Sequence, residues 1–356
     1  MENLPPDAAG SARRAPTMAD VAREAQVSRA TVSRVLSGAA EVSPRTRNRI
    51  LGAIEALGYV PSMWAQHLAA STSRTIGLLI RNPRNPAYRL LQPEVQKTAE
   101  EFGLDLITVT PTFRRGQVQE AAALRRLMGM RVGGLLVATG RFRSRELAPF
   151  LSSVPVVSVG RAEKDAGVHG VGYDEEDNAT QIAHAVYGHG HRRVAVVTPT
   201  AEVSLAENLR ASTAARVLEQ LGSRAIRDEV RREGLDGEGH SRLLALIRTQ
   251  AITAIVFPSD HRMLDFVIHA RKVGVEVPRD VSVIGVDGLL EGLSYMQLAS
   301  LRIPVELVAR RAVEVMAGLL EDRSGVDPQQ ELYPGRLRLA ASLAQLPVDG
   351  EADGES

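Results

Sequence analysis

Cysteine is missing altogether from this chain of 356 residues. Its absence excludes disulfides, thiolate catalysis and Cys-ligated zinc, and leaves only His and carboxylate metal sites open. Rings are scarce too. Phe, Trp and Tyr make up 4% of the residues, a thin supply for a ligand held on aromatic faces. No run of about 18 uncharged apolar residues occurs, and the stretch Met1–Pro16 is polar. Neither a membrane span nor a secretory signal is therefore expected, and the expected address is cytoplasmic. Catalytic motifs are also missing. There is no GxSxG elbow, HExxH pair or kinase set, and Gly133-Gly134 and Gly172 lack the spacing of a phosphate-cradling loop.

What is present is enough apolar material, 44% of the chain, to bury more than one core, so two or three domains are expected. Charge is unevenly spread. Residues 1–75 hold 9 Arg and no Lys against 6 acids, whereas 76–356 hold 34 basic against 36 acidic residues. A small head charged only through arginine, the side chain suited to phosphate and guanine, points to a polyanion partner.

The first 16 residues mix Pro, Gly, Ala and charge without periodicity and read as a disordered arm. Thr17 then precedes Met18, Val21, Ala22 and Ala25 at helical spacing, with Asp20 placed for an acidic capping box. After a break at Gln26-Val27, Ser28 is a good N-cap for a second helix with Val32, Val35 and Leu36 turned inward. A third runs from Ser43-Pro44 to Leu57-Gly58, with Ile50, Ile54 and Leu57 as its inner stripe. Two short helices joined by a tight turn read as a helix-turn-helix. Its second helix would present Arg29, Ala30 and Arg34 to base edges, beside phosphate-reaching Thr17, Ser28, Thr31 and Ser33.

The strings TMADVAREAQVSRATVSRVLSG from Thr17, VSPRTRNRI from Val42 and LGYVPSMWAQHL from Leu57 strongly resemble the head of the LacI/GalR regulators. The resemblance implies that Arg29, Ala30 and Arg34 occupy base-reading positions. It also implies that Ala65 and Leu68 lie on a hinge helix, with Leu68 as the apolar wedge that kinks the operator through its minor groove. Ser62 and Trp64 depart from the usual hinge.

From Ser73 onward, short β-rich runs alternate with amphipathic helical stretches, a parallel α/β pattern. The expected strands are Thr75–Ile80, Leu104–Thr110, Gly134–Ala138, Val154–Val159, Val194–Thr198, Ala254–Phe257 and Val281–Val286. So many βα units point to two doubly wound lobes with a cleft at the C-terminal ends of their strands. The family resemblance continues through NPAY at Asn85–Tyr88, PVVSVGR at Pro155–Arg161, GHGHRRVAVV at Gly188–Val197 and VPRDVSVIGVDG at Val277–Gly288. It implies a periplasmic-binding-protein-like body whose effector pocket includes Tyr88, Arg210, Asp260 and Asp287. Arginine and carboxylates across a cleft suit a polyhydroxy ligand, since each hydroxyl both donates and accepts. Departures from the family pattern are Ala87, Glu175, Ser259 and Ala340. His184, His189 and His191 lie close together, but the resemblance makes that segment a loop entering a strand, so no metal is expected.

The expected architecture is a small all-α helix-turn-helix head and an α/β two-lobed body with parallel doubly wound sheets. The expected segments are an arm at 1–16, a DNA-binding domain at 17–60, a hinge at 61–73, an effector-binding and dimerisation body at 74–342 and a disordered tail at 343–356. Within the body, the N-lobe takes about 74–174 plus 304–328, and the C-lobe about 175–303 plus 329–342. The expected function is a transcription regulator, a repressor rather than an enzyme, that binds a pseudo-palindromic double-stranded DNA operator as a homodimer. A small-molecule effector, a sugar or sugar derivative, would control it, with no cofactor, no catalytic residues and no membrane; it would belong to the nucleoid-associated pool. A transporter's solute-binding protein shares the body's architecture but would need an export signal in place of the Arg-rich head, and an enzyme would turn over its small molecule.

Overall fold

The computed structural model describes residues 14–36, 42–60, 73–114, 117–139, 143–162, 167–231, 237–322 and 327–346. The arm at 1–13, the hinge residues 61–72 with Ala65 and Leu68, and the end of the tail from 347 lie outside the described residues. The chain divides into two compact units, Met1–Ser73 and Arg74–Ser356.

The first unit has three helices, α1 (Met18–Glu24), α2 (Arg29–Leu36) and α3 (Pro44–Leu57). Each begins where a hydroxyl side chain can serve the free amides of a first turn. Thr17 accepts from the Asp20 N–H at 3.4 Å and its own N–H donates to the Asp20 carboxylate at 2.9 Å, closing the capping box. Ser28 accepts from the Thr31 N–H at 3.1 Å, and Ser43 from the Thr46 N–H at 3.3 Å. Gly58 ends α3 at φ 61, a conformation that suits a residue with no Cβ. Val21, Ala22, Ala25, Val32, Val35, Ile50, Ala53 and Tyr59 form the core, with Ile54 and Leu57 packed at its margin. Of the expected inner stripe of α3, Ile50 is fully buried and Ile54 and Leu57 only partly, while Ala53 joins Ile50 in the core.

The second unit holds two six-stranded sheets. The first orders β11 (Gln330–Tyr333), β5 (His169–Tyr173), β4 (Val156–Gly160), β3 (Gly134–Ala138), β1 (Thr75–Ile80) and β2 (Asp105–Val109), all parallel. The second orders β12 (Arg336–Arg338), β10 (Ala299–Arg302), β9 (Ser282–Asp287), β8 (Ala254–Val256), β6 (Arg193–Pro199) and β7 (Arg224–Val230), antiparallel only at β12. The central strands are largely apolar and buried because helices cover both faces, as in β1, where every residue is buried. Helices α4 (Pro86–Glu101) and α10 (Val305–Glu321) pack together on the first sheet, and α6 (Glu175–Gly188) and α7 (Leu205–Gln220) pack together on the second. One apolar cluster runs from Ile76 and Val95 of the first lobe to Val194 and Leu218 of the second.

The chain passes between lobes three times. β11 pairs with β5 in the first sheet and β12 with β10 in the second, so the last crossing lies between Tyr333 and Arg336 and not after residue 328. Fully buried Asn178 pins it by accepting from the Gly335 N–H at 2.6 Å. The body also runs past the expected boundary at 342. Leu343 is buried, and the Leu346 N–H donates to the His189 carbonyl at 2.8 Å. Among the described residues no helix is long and apolar enough to cross a membrane.

Candidate DNA-reading face and ligand cleft

In the head, burial of Val32 and Val35 turns the other side of α2 outward. Arg29, Ala30 and Arg34 are exposed there, Ser28 is exposed at the helix start, and Thr31 and Ser33 are half-buried. Three further arginines, Arg45, Arg47 and Arg49, lie on the first turns of α3. Thr17 sits half-buried at the start of α1, and its hydroxyl and amide hold the Asp20 carboxyl down at about 2. The face therefore combines cations with helix starts, both suited to phosphates, around side chains that reach outward.

In the body, the C-terminal ends of the strands of both sheets face one cleft. On the first lobe, Arg81, Thr139 and Arg161 directly follow β1, β3 and β4, and Glu120 opens the helix α5 (Glu120–Gly129). The Thr139 hydroxyl donates to Glu120, which lies 3.7 Å from Arg81. Tyr88, in the first turn of α4, is set by the Asn85 N-cap, whose side chain accepts from the Ala87 N–H at 2.8 Å. Burial pushes its phenol up to about 12, and it lies in the field of Arg81, Glu120 and Arg161 of its own lobe and of Glu207 across the cleft.

On the second lobe, Arg210 of α7 is buried and fully engaged. Its Nε and Nη2 donate to the two carboxylate oxygens of Glu175 at 2.6 and 2.8 Å, and its Nη1 donates to the Pro258 carbonyl and lies 3.9 Å from Asp287. Burial works against the charge, but Glu175, Asp287 and Glu207 together outweigh it and raise the guanidinium's pKa. Asp260 accepts from the Ser300 hydroxyl and the Gly288 N–H, both at 2.6 Å. Its approach depends on Gly285, where an added Cβ would lie 2.3 Å from its oxygen, and on Gly288, where one would meet the Arg302 backbone. Burial raises Asp260 to about 7 and lifts Asp287 well above the usual carboxylate range. Asp287 has a φ of 108, a strained value for a residue with a Cβ and one found at sites where function over-determines the backbone.

Of the four residues expected in the pocket, Arg210, Asp260 and Asp287 lie together on the second lobe, and Tyr88 of the first lobe is in electrostatic reach of that group through Glu207 and Tyr173. Motif reading left out Glu175 as a partner of Arg210, and also the second pair, Arg262 with Glu207 at 3.0 Å. No local signal joins groups 35 or 55 residues apart; opposite charges on successive βα units are the only hint. His191 is structural: its ring nitrogens lie 3.0 Å from the Thr253 hydroxyl and 3.1 Å from the Ala344 carbonyl.

A helix-turn-helix head with arginines on its outer face, followed by a two-lobed ligand-binding body, defines a ligand-responsive transcription regulator. The family profile "Bacterial regulatory proteins, lacI family" matches residues 17–62, and the profile "Periplasmic binding protein-like domain" matches residues 183–342. Similar proteins include catabolite control protein A of Priestia megaterium, 28% identical over 92% of this chain and 98% of that protein. The regulator AscG of Escherichia coli is also 28% identical, over 92% of this chain and 98% of that protein. The fold is that of the Lac repressor dimer bound to operator and the anti-inducer ONPF. The TM-score is 0.78 at 22% identity, covering 93% of this chain and all of that one. The chain thus combines a LacI-family helix-turn-helix head with a periplasmic-binding-protein-like body, and the proteins it resembles are transcriptional regulators of the LacI/GalR type.

Proposed function

We propose that this regulator is a repressor that binds a pseudo-palindromic operator as a homodimer and responds to a sugar-like effector held in the cleft of its body. The observation that carries the reading is the split character of α2, which buries Val32 and Val35 while exposing Arg29, Ala30 and Arg34. Arg29 and Arg34 read base edges, Ala30 offers a methyl contact, and Thr17, Ser28, Thr31 and Ser33 hold phosphates. Ala65 and Leu68 serve as the hinge contact with the minor groove. Tyr88, Arg210, Asp260 and Asp287 form the effector site, with Arg210 acting as the post that positions Asp287. Working on DNA, the protein acts in the cytoplasm, in the nucleoid-associated pool.

Related proteins support this reading. They include the ribose operon repressor of Haemophilus influenzae, and similar folds have been solved with cellobiose and with ribose bound. Dimerisation lets two half-sites act together, and an effector shifts the equilibrium only through its different affinity for the two states.

Selection of bound duplexes from a random pool, followed by anisotropy titration across salt, tests the proposal. A palindromic winner with a steep fall of affinity in salt is expected; no enrichment, with or without added metabolites, would overturn it. Leu68→Ala should weaken operator binding much more than binding to random DNA, and equal losses on both would remove Leu68 from the interface.

A further inference from the structure

The second lobe's wall of the cleft carries more carboxyl groups than its arginines serve. Its buried and half-buried acids Glu175, Glu207, Asp260 and Asp287 share it with Arg210, Arg262 and Arg302, the strand partner of Asp287. Each arginine is already matched by a glutamate, Arg210 by the two-pronged contact with Glu175, Arg262 by Glu207 and Arg302 by Glu306. The Arg210 side chain is 6% exposed, so it offers a ligand almost no surface. Without Glu175, Arg210 and Asp287 would form a neutral pair. With it, no guanidinium is left over to hold the aspartates' charge, and burial raises both carboxyls, so a cation arriving at Asp287 would meet a group waiting for a partner.

The two aspartates differ in what they have left to offer. Asp260 is 1% exposed and its oxygens are served by Ser300 and Gly288. Asp287 has its side chain 13% exposed, and the cation nearest to it, Arg210, stays at 3.9 Å, beyond hydrogen-bond reach. Among the described residues, no donor serves its carboxylate. A ligand hydroxyl would supply one donor, whereas an ammonium supplies up to three and a full positive charge in a partly desolvated site.

We propose that Glu175, by occupying Arg210, sets the cleft for a ligand whose ammonium group docks on Asp287: an amine-bearing polyol, such as an amino sugar or amino alditol. This rests on the reading of the cleft as the effector site. Arg81 and Arg161 on the opposite wall, with Glu120 beside them, would instead favour an anionic ligand if they governed selection, so the two walls make opposing predictions.

The test uses the full chain, with calorimetric titration and thermal shift at pH 7, and matched probes. D-glucosamine, D-glucose and D-glucose 6-phosphate form one set, and D-glucamine and D-sorbitol a second. The amine of at least one set should bind about tenfold or more tightly than its neutral counterpart. Glu175→Gln should reduce that ratio to about twofold, while Asp287→Asn, a near-isosteric change that keeps the fold, should abolish amine binding. Preference for the neutral or anionic probe, an amine advantage unchanged by Glu175→Gln, or no amine binding in either set would each overturn the proposal. Duplex selection reads the head alone, so loss of the ligand class leaves the regulator reading standing, and failure to enrich DNA leaves the amine preference measurable.

Discussion

Arg210 and Glu175 sit on neighbouring helices of one lobe, and their pairing makes a buried charge tolerable there. Taking away one partner of a buried ion pair leaves the other uncompensated. Glu175→Ala is therefore expected to cost about 3–5 kcal/mol by urea unfolding, and Glu175→Gln, which keeps an acceptor for the guanidinium, clearly less. Asp260 gives the body a pH dependence of definite sign. Its carboxyl rises from 3.8 to about 7 in the folded chain, so the folded state holds this proton more tightly than the unfolded one across that window. The contribution to stability is complete below the unfolded value and is lost as pH rises through about 7. Unfolding midpoints at pH 5 and pH 8 should therefore differ less in Asp260→Asn than in the parent, and an unchanged difference would remove Asp260 as the source.

The helices of the head carry their boundaries in their own sequence. Thr17→Ala removes the hydroxyl that accepts from the Asp20 N–H, leaving only the backbone half of the box, and should speed hydrogen exchange of the α1 amides about fivefold, the equivalent of about 1 kcal/mol for a lost cap. Strands were legible where they are central and missed where they are not. All seven expected strands exist, Thr75–Ile80 and Gly134–Ala138 with the expected ends and the other five with ends displaced by one or two residues. The missed ones have identifiable reasons. In β5, two glycines interrupt the apolar pattern, and an added Cβ at Gly172 would lie 2.9 Å from backbone atoms of Arg161 and Ala162. In β7, an edge strand exposed along one side reads RAIRDEV, too charged for a core pattern. The short β10, β11 and β12 exist because a neighbouring strand is already there to pair with.

At the scale of the whole molecule, the large apolar side chain most open to solvent among the described residues is Tyr295, 92% exposed beside half-exposed Met296. On the dimer reading this segment meets a second copy, as large exposed apolar groups commonly mark interfaces. Tyr295→Glu should shift the sedimenting species toward monomer and weaken operator binding through loss of the second half-site; an unchanged dimer would place the interface elsewhere. The lobes themselves are joined by three passages of chain and by one continuous apolar cluster. Asn178 holds Gly335 at the last of those passages.

The sequence by itself determined the class of protein, the three helices with their caps and the parallel α/β body. These depend on periodicity, capping chemistry and motif, which are local. Only the tertiary structure decided that Arg210 is already held by Glu175, that Asp260 is enclosed by Ser300 and Gly288, and that Gln330–Tyr333 belongs to the first lobe. It also decided that the body continues to Leu346. Each of these is a pairing of groups far apart along the chain. Charge and hydrogen bonding act through space, and the distances they act over are set only when βα units from both halves are folded edge to edge.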